Sequence, residues 1–165
     1  INPKISAVAL LFYPKNDSIH FCLTQRPDYN GTHGGQISFP GGKMEKVDDS
    51  LKHTALRETH EEVGINPDDI TILGELSQVY IPPSNFMVTP FLGYLDAEPK
   101  FVTNHEVIEI IEPSINDLLN PKNLSVENMN TKYGTFEVPA YKFNGKIVWG
   151  ATAVILSEFE ILLKG

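Results

Sequence analysis

Residues 39–65 place the tightest constraint on what this chain can fold into. A Phe-Pro-Gly-Gly turn and an acidic loop precede a stretch in which Glu58, Glu61 and Glu62 stand at positions i, i+3 and i+4. Residues at these spacings share one face of a helix. Like charges placed in this way destabilise a helix by about 0.2 to 0.5 kcal/mol per pair. A divalent cation with oxygen ligands would remove that repulsion, so the segment predicts a helix beside a metal site.

The apolar residues of the same stretch place this site at the edge of the core. At about 100° per residue, the glutamates are centred roughly a quarter turn from the middle of the apolar side. Carboxylates that flank a buried face are expected in a cleft. The alternative is that the charge run is only a solvated helix face. Four residues define the apolar side: Leu51, Ala55, Leu56 and Val63.

Composition limits the classes of partner. With 165 residues, of which 41% are hydrophobic, the chain is expected to form one globular domain over residues 1–165. The 21 acidic and 13 basic residues give a formal net charge of −8. This charge argues against nucleic acid or an anionic membrane as the main partner, while a small phosphorylated molecule remains compatible if metal ions offset the repulsion.

Cysteine usage and the absence of long apolar runs favour a cytoplasmic location. Cys22 is the only cysteine, which excludes an intrachain disulfide and a multi-thiolate metal site. It lies in an apolar run, where a buried, inert thiol is expected. No apolar run approaches the ~20 residues that span a bilayer, and no secretory leader is visible. The chain starts at Ile1 without a methionine, which is compatible with a missing N-terminal segment.

The order of the elements predicts an α+β fold with a mixed sheet. The candidate caps for the start of the glutamate helix are Asp48, Asp49 and Ser50, and Gly64 is the candidate for its end. The Asn144–Gly145 pair predicts a hairpin turn. The other predicted elements are strands over residues 6–13, 19–24, 70–80, 86–95 and 106–111, a loop over 26–40, a short helical turn over 114–119 and a final helix over 151–163 that packs on the sheet.

The glycine pair before the helix adds a second source of metal ligands. Glycine allows the backbone to approach a ligand closely, so the Gly42 carbonyl could complete the coordination of an ion held by Glu58 and Glu62. A site with oxygen ligands alone suits Mg²⁺ or Mn²⁺ and does not suit zinc. Mg²⁺ usually binds one or two carboxylates together with substrate phosphates. The segment therefore points to phosphate-ester or pyrophosphate chemistry.

The same residues resemble the Nudix box, Gly-x5-Glu-x7-Arg-Glu-U-x-Glu-Glu-x-Gly-U, in which U is aliphatic. The match runs from Gly42 to Ile65, with Thr59 at one aliphatic position. Counting back from Arg57 places Asp49 at the first glutamate, one residue farther from Gly42 than in the pattern. The resemblance implies an α/β/α sandwich with a catalytic loop-helix-loop. It also implies hydrolysis, with Mg²⁺ or Mn²⁺, of the pyrophosphate of a nucleoside diphosphate derivative.

A second motif is similar to the coenzyme A pyrophosphatase branch of this family. It consists of the segments 23–26 (Leu-Thr-Gln-Arg), Gly35 and 39–42 (Phe-Pro-Gly-Gly) at matching spacing. Pro27 replaces a serine and Gly31 an arginine of the pattern, which weakens the link to coenzyme A. The expected substrate is coenzyme A or an acyl-CoA-like compound. The alternatives are ADP-ribose, nucleotide sugars or oxidised nucleotides, or a non-catalytic module that senses a nucleotide.

The resemblance assigns roles residue by residue. Arg57 is expected to orient a carboxylate of the box, and Asp49 to brace the loop against the helix. Glu106, outside the box, is the candidate general base, although an ordinary carboxylate at a strand edge is an equal alternative. The expected partner is a small nucleotide, and a homodimer is compatible with the sequence. The metal ligands implied are Gly42, Glu58, Glu61 and Glu62, and the substrate-binding residues are Arg26, Gly35, Phe39 and Gly41.

Overall fold

The computed structural model of the protein describes residues 2–27 and 35–165. Within these ranges the helices are α1 (Leu51–Val63), α2 (Ile115–Leu119) and α3 (Ala151–Lys164). The strands are β1 (Lys4–Lys15), β2 (Ser18–Phe21), β3 (Leu23–Gln25), β4 (Ile37–Ser38), β5 (Gly41–Lys43), β6 (Thr71–Glu75), β7 (Val79–Ile81), β8 (Phe86–Tyr94), β9 (Glu109–Ile111), β10 (Leu124–Thr131), β11 (Gly134–Phe143) and β12 (Lys146–Trp149).

Strand β1 lies at the centre of the largest sheet. It pairs antiparallel with β2 and β5 and parallel with β8, and β8 in turn pairs with β6 and β7. Alternate residues of β1 are buried on opposite faces: Ala9 and Leu11 pack with residues of α1, whereas Leu10 packs with residues of α3. A strand that is buried on both faces reads as a continuous apolar run. This arrangement confirms the predicted α+β sandwich with a mixed sheet.

Two smaller sheets complete the described part of the chain, with strand orders β4-β3-β9 and β10-β11-β12. The run over residues 19–24, predicted as one strand, is divided at Cys22 into β2 and β3, which belong to different sheets. The Cys22 thiol is buried, and this burial raises its pKa. The chain thus passes from the large sheet to a small one without a loop.

The ends of α1 follow the predicted capping. The Ser50 hydroxyl accepts the His53 N–H at 3.1 Å, so Ser50 is the N-cap. Gly64 ends the helix with φ at 77°, a left-handed conformation that glycine adopts without a steric penalty. The Asn144–Gly145 turn likewise has positive φ at both residues, 50° and 81°, as the hairpin signal predicted.

Several predicted boundaries were wrong. The glycine pair lies in strand β5 and not in a turn, and part of the 26–40 loop forms β4. The 70–80 segment forms two strands, the 106–111 strand begins only at Glu109, and β10 was not predicted. Gly31 lies outside the described residues.

Strand β8 continues through Pro90 without a break. The Pro90 carbonyl accepts the Leu76 N–H at 2.9 Å, and Leu76 lies between the end of β6 and the start of β7. The carbonyl and the missing N–H of a strand residue point toward the same neighbour. The side of Pro90 that lacks an N–H therefore faces the break between β6 and β7, where no hydrogen bond from an N–H is required.

Helix α3 packs on the sheet through only part of its predicted apolar stripe. Ile155 and Phe159 are buried, whereas Leu162 and Leu163 are 56% and 41% exposed. The helix therefore extends past the core at its C-terminal end. None of the helices in residues 2–27 and 35–165 is long and apolar enough to cross a membrane.

The difference between the buried and exposed residues of α3 can be tested by truncation. Phe159→Ala should lower the free energy of unfolding by about 3 to 5 kcal/mol, because it removes an aromatic ring from a closely packed core. Leu162→Ala should cost less than about 1 kcal/mol, since more than half of its surface already contacts water. Urea unfolding monitored by circular dichroism measures both. Equal losses would contradict the described packing of α3.

Candidate active site

Two separate segments bring three carboxylates together beside strand β5. Glu58 and Glu62 come from α1, and Glu106 comes from the loop that precedes β9. One carboxylate oxygen from each lies within 4.8 Å of the others. Their side chains differ in exposure: 13% for Glu58, 1% for Glu62 and 39% for Glu106. The cluster therefore extends from the protein interior to the solvent.

Glu62 is the innermost member of the cluster. Its Oε2 accepts the Gly41 N–H at 3.1 Å, whereas its buried Oε1 has no hydrogen-bond partner. Among residues 2–27 and 35–165 the cation nearest to Oε1 is Arg26, whose Nη2 lies 3.8 Å away. Burial raises the pKa of Glu62 to about 8, although Arg26 and the Gly41 N–H act in the opposite direction. Burial also raises the pKa of Glu58, with Arg57 opposing.

The two glycines of β5 allow the helix to approach the strand. A Cβ added to Gly42 would lie 2.6 Å from Cδ of Glu58, so any side chain there would displace that carboxylate. A Cβ added to Gly41 would lie 2.3 Å from the Ala7 carbonyl oxygen of β1. The Gly-Gly pair is therefore required by the close contact between β5, β1 and the carboxylates of α1.

Arg57 holds the outer side of the acidic helix. Its guanidinium donates to both carboxylate oxygens of Asp48, from Nε at 2.7 Å and from Nη2 at 2.9 Å. Nη1 donates to Glu58 Oε1 at 3.0 Å and to Glu61 at 3.3 Å. Asp48 also accepts from the Thr54 hydroxyl and the Glu45 N–H. These bonds join the β5–α1 loop to the first two turns of the helix.

Asp48 braces the loop against the helix, whereas the sequence had suggested Asp49 for this role. Asp49 is exposed, and its N–H donates to His53 Nδ1 at 3.2 Å. Asp48 has a fully buried carboxylate. Counting forward from Gly42 reaches Asp48 at the sixth position, where the box pattern has its first glutamate. The extra residue therefore lies between Asp48 and Arg57, and the forward spacing was the signal that could have identified Asp48.

The remaining predicted site residues lie at different distances from the cluster. Glu61 is 53% exposed, pairs with Arg57 and is not among the carboxylates that meet within 4.8 Å. Phe39 is 2% exposed and packs in the core on the α3 side, so its ring is unavailable to a substrate. Gly35 has φ at 74° and its N–H donates to the Pro27 carbonyl, which closes the base of the 26–40 loop. Arg26 reaches the cluster.

The residues of the cluster suit a divalent cation. Three carboxylates and one guanidinium carry a formal charge of −2, and one buried oxygen lacks a hydrogen-bond partner. At 4.8 Å, each carboxylate pair repels by about 3 kcal/mol at an effective dielectric constant of about 20. Oxygen ligands of this type match Mg²⁺, Mn²⁺ or Ca²⁺ better than they match zinc.

Comparison with known proteins identifies the family. Residues 3–131 match the NUDIX domain family. The chain belongs to the Nudix family. It is 34% identical over 144 residues to the uncharacterized Nudix hydrolase NudL of Pectobacterium atrosepticum, covering 84% of this chain and 72% of that protein. NudL of Yersinia pestis is 33% identical over 135 residues, covering 81% of this chain and 67% of that protein. The chain is therefore a Nudix hydrolase.

Solved structures share the fold at low sequence identity. A C. elegans Ap4A hydrolase superposes with a TM-score of 0.65 and 17% identity over 98% of each chain. The NUDIX domain of Shewanella oneidensis NrtR, complexed with ADP ribose, gives a TM-score of 0.58 and 20% identity over 72% of this chain and 77% of that chain. These similarities establish the Nudix fold and leave the substrate of this chain open.

The contribution of Asp48 can be separated from that of its neighbour. Asp48→Asn should lower the free energy of unfolding by about 1.5 to 3 kcal/mol, the range for hydrogen bonds to charged groups. A larger loss is not expected, since Arg57 retains Glu58 and Glu61 as partners. Asp49→Asn is the matched control and should change the free energy of unfolding by less than about 0.5 kcal/mol. Chemical denaturation at pH 7 measures both variants.

The same pair predicts a pH dependence. The Arg57 guanidinium holds the pKa of Asp48 well below its usual range, so the pair stabilises the fold at pH values above the pKa of an unfolded aspartate, about 4. The stability difference between the wild type and Asp48→Asn should therefore shrink as the pH falls below about 4. A difference that stays constant down to pH 2 would show that Asp48 does not act through its charge.

Proposed function

We propose that this Nudix hydrolase cleaves the pyrophosphate of a nucleoside diphosphate derivative with Mg²⁺ or Mn²⁺ held by Glu58 and Glu62. The observation that carries the proposal is the buried Glu62 Oε1, which has no hydrogen-bond partner and lies in a cluster with a formal charge of −2. A buried, unpaired carboxylate oxygen is costly unless a ligand compensates it. A divalent ion supplies the missing charge.

The bound ion would supply Lewis acidity, which offsets the charge of the pyrophosphate and lowers the pKa of a nearby water. Protein residues would supply the proton transfer and the contact with the substrate phosphates. Glu106, the most exposed of the three carboxylates, would accept a proton from the attacking water. Arg26 lies 3.8 Å from both Glu62 and Glu106, beyond hydrogen-bond distance, and is therefore placed to turn toward a substrate phosphate.

The Gly42 carbonyl and Glu61 complete the proposed set of metal ligands. Support is stronger for Gly42, because its strand lies in contact with the Glu58 carboxylate. Glu61 is not part of the cluster, and its carboxylate accepts a hydrogen bond from Arg57 Nη1 at 3.3 Å. We therefore propose that Glu61 lies at the outer edge of the site and takes part only when a further ion or phosphate enters.

Coenzyme A or an acyl-CoA-like compound is the proposed substrate. The support is the similarity of residues 23–26, Gly35 and 39–42 to the coenzyme A pyrophosphatase branch, together with the position of Arg26 at the cluster. ADP-ribose and dinucleoside polyphosphates are alternatives, because the NrtR domain binds ADP ribose and the C. elegans protein is an Ap4A hydrolase. A non-catalytic sensor is less consistent with three carboxylates that converge on one point.

Charge removal at single carboxylates tests the metal site. Glu62→Gln and Glu58→Gln should each lower kcat/KM by more than about 100-fold, since loss of even an outer-shell partner costs 10- to 100-fold. Glu61→Gln, the matched control on the same helix, should have a smaller effect because Glu61 lies outside the cluster. Direct titration with Mn²⁺ should show weakened binding in the first two variants. Turnover retained by Glu62→Gln would refute the assignment.

A substrate panel tests the specificity. Coenzyme A, ADP-ribose, oxidised dGTP and diadenosine tetraphosphate are compared at equal Mg²⁺ concentration by the release of phosphorylated products. We expect the highest kcat/KM for coenzyme A. A preference for another compound would refute the branch assignment and leave the reaction type intact. Absence of turnover with every substrate, despite tight nucleotide binding, would favour the sensor alternative.

A further inference from the structure

The segment that carries Glu106 is attached to the C-terminal end of α1. The Val102 N–H donates to the Val63 carbonyl at 2.9 Å, and the Asn104 N–H donates to the Glu62 carbonyl at 3.2 Å. Gly64 leaves the space for this contact, because a Cβ there would lie 2.9 Å from atoms of Val102. The backbone of a proposed metal ligand thus directly supports the loop that brings the third carboxylate.

Asn104 makes the turn that aims Glu106. Its Oδ1 accepts the Glu106 N–H at 2.9 Å, and its backbone carbonyl accepts the Val107 N–H at 3.2 Å. The Ile108 N–H then donates to the Gln25 carbonyl at 2.9 Å. Glu106 therefore lies between two fixed points, one on the helix that carries Glu62 and one on the strand that precedes Arg26. Asparagine side chains commonly hold such two-residue turns.

We propose that Asn104 is a positioning residue that holds Glu106 in the carboxylate cluster. The inference rests on the proposed function and adds Asn104, which acts on the cluster only through Glu106. The physical reason is that the Glu106 carboxylate faces two other carboxylates and is itself 39% exposed. Repulsion would turn the loop toward solvent if the backbone were free. The bond from the Glu106 N–H to Asn104 opposes this movement.

The alternative is an ordinary turn cap that affects stability alone, and Asn120 provides the matched control. Its Oδ1 accepts the Lys122 N–H at 3.0 Å in the same two-residue arrangement, after α2 and outside the cluster of Glu58, Glu62 and Glu106. Asn120→Ala removes an equivalent bond and should leave kcat/KM unchanged. Asn104→Ala should lower kcat/KM by about 10- to 100-fold, the range for outer-shell partners. Asn104→Asp retains the acceptor and should recover most of the activity.

A double-mutant cycle with Glu106→Gln tests whether Asn104 acts through Glu106. The double variant Asn104→Ala/Glu106→Gln should have the kcat/KM of Glu106→Gln alone, because the residue to be positioned is already disabled. Without metal, the Glu106 amide should exchange faster with solvent in Asn104→Ala, as measured by NMR. Thermal unfolding checks that each variant is folded. Multiplicative losses, or unchanged amide exchange, would overturn the inference.

Failure of the proposed function gives a different result. A wild-type protein with no turnover of any substrate in the panel would refute the hydrolase proposal. The affinity for Mn²⁺, measured by electron paramagnetic resonance, would then take the place of kcat/KM in the same cycle. Weaker Mn²⁺ binding in Asn104→Ala, with no further loss in the double variant, would support the role of Asn104. Equal affinities in the wild type and Asn104→Ala would overturn it.

Discussion

The burial of the Glu62 carboxylate is the constraint on which the site depends. A carboxylate that is 1% exposed requires partners, and only one of its oxygens has a hydrogen bond, from the Gly41 N–H. That bond requires α1 to lie close against β5, which explains why two glycines occur where the strand meets the helix. The other oxygen faces Arg26 and the remaining carboxylates, so its compensation must come from that side.

The compensation of negative charge is asymmetric across α1. On the outer side, Arg57 neutralises Asp48 and contacts Glu58 and Glu61 through hydrogen bonds of ordinary length. On the inner side, Arg26 approaches Glu62 and Glu106 only to 3.8 Å. The carboxylates that Arg57 contacts thus each have a hydrogen-bonded cation, whereas Glu62 and Glu106 have the more distant Arg26. This shortage of positive charge on the inner side is what the proposed metal ion would offset.

Local rules predicted the parts of the fold that local interactions determine. The helix with its Ser50 and Gly64 caps, the Asn144–Gly145 turn and the carboxylates of α1 were all accessible from spacing and residue type. The predictions that were wrong depend on distant partners. Strand β5 exists because β1 lies beside it, and the division at Cys22 exists because β2 and β3 pair with different sheets. Neither partner is visible in the local sequence.

Glu106 shows how a candidate site residue can be named from the sequence although its position in space is unpredictable. The sequence offered it as a carboxylate near a strand, 44 residues after Glu62. Its approach to the cluster depends on backbone bonds between Val102 and Val63 and between Asn104 and Glu62. Backbone groups carry no residue-specific signal, and only Gly64 indicates the contact, through the space it leaves for Val102. The third carboxylate is therefore placed by the end of the same helix that supplies the first two, so a displacement of α1 would move all three together.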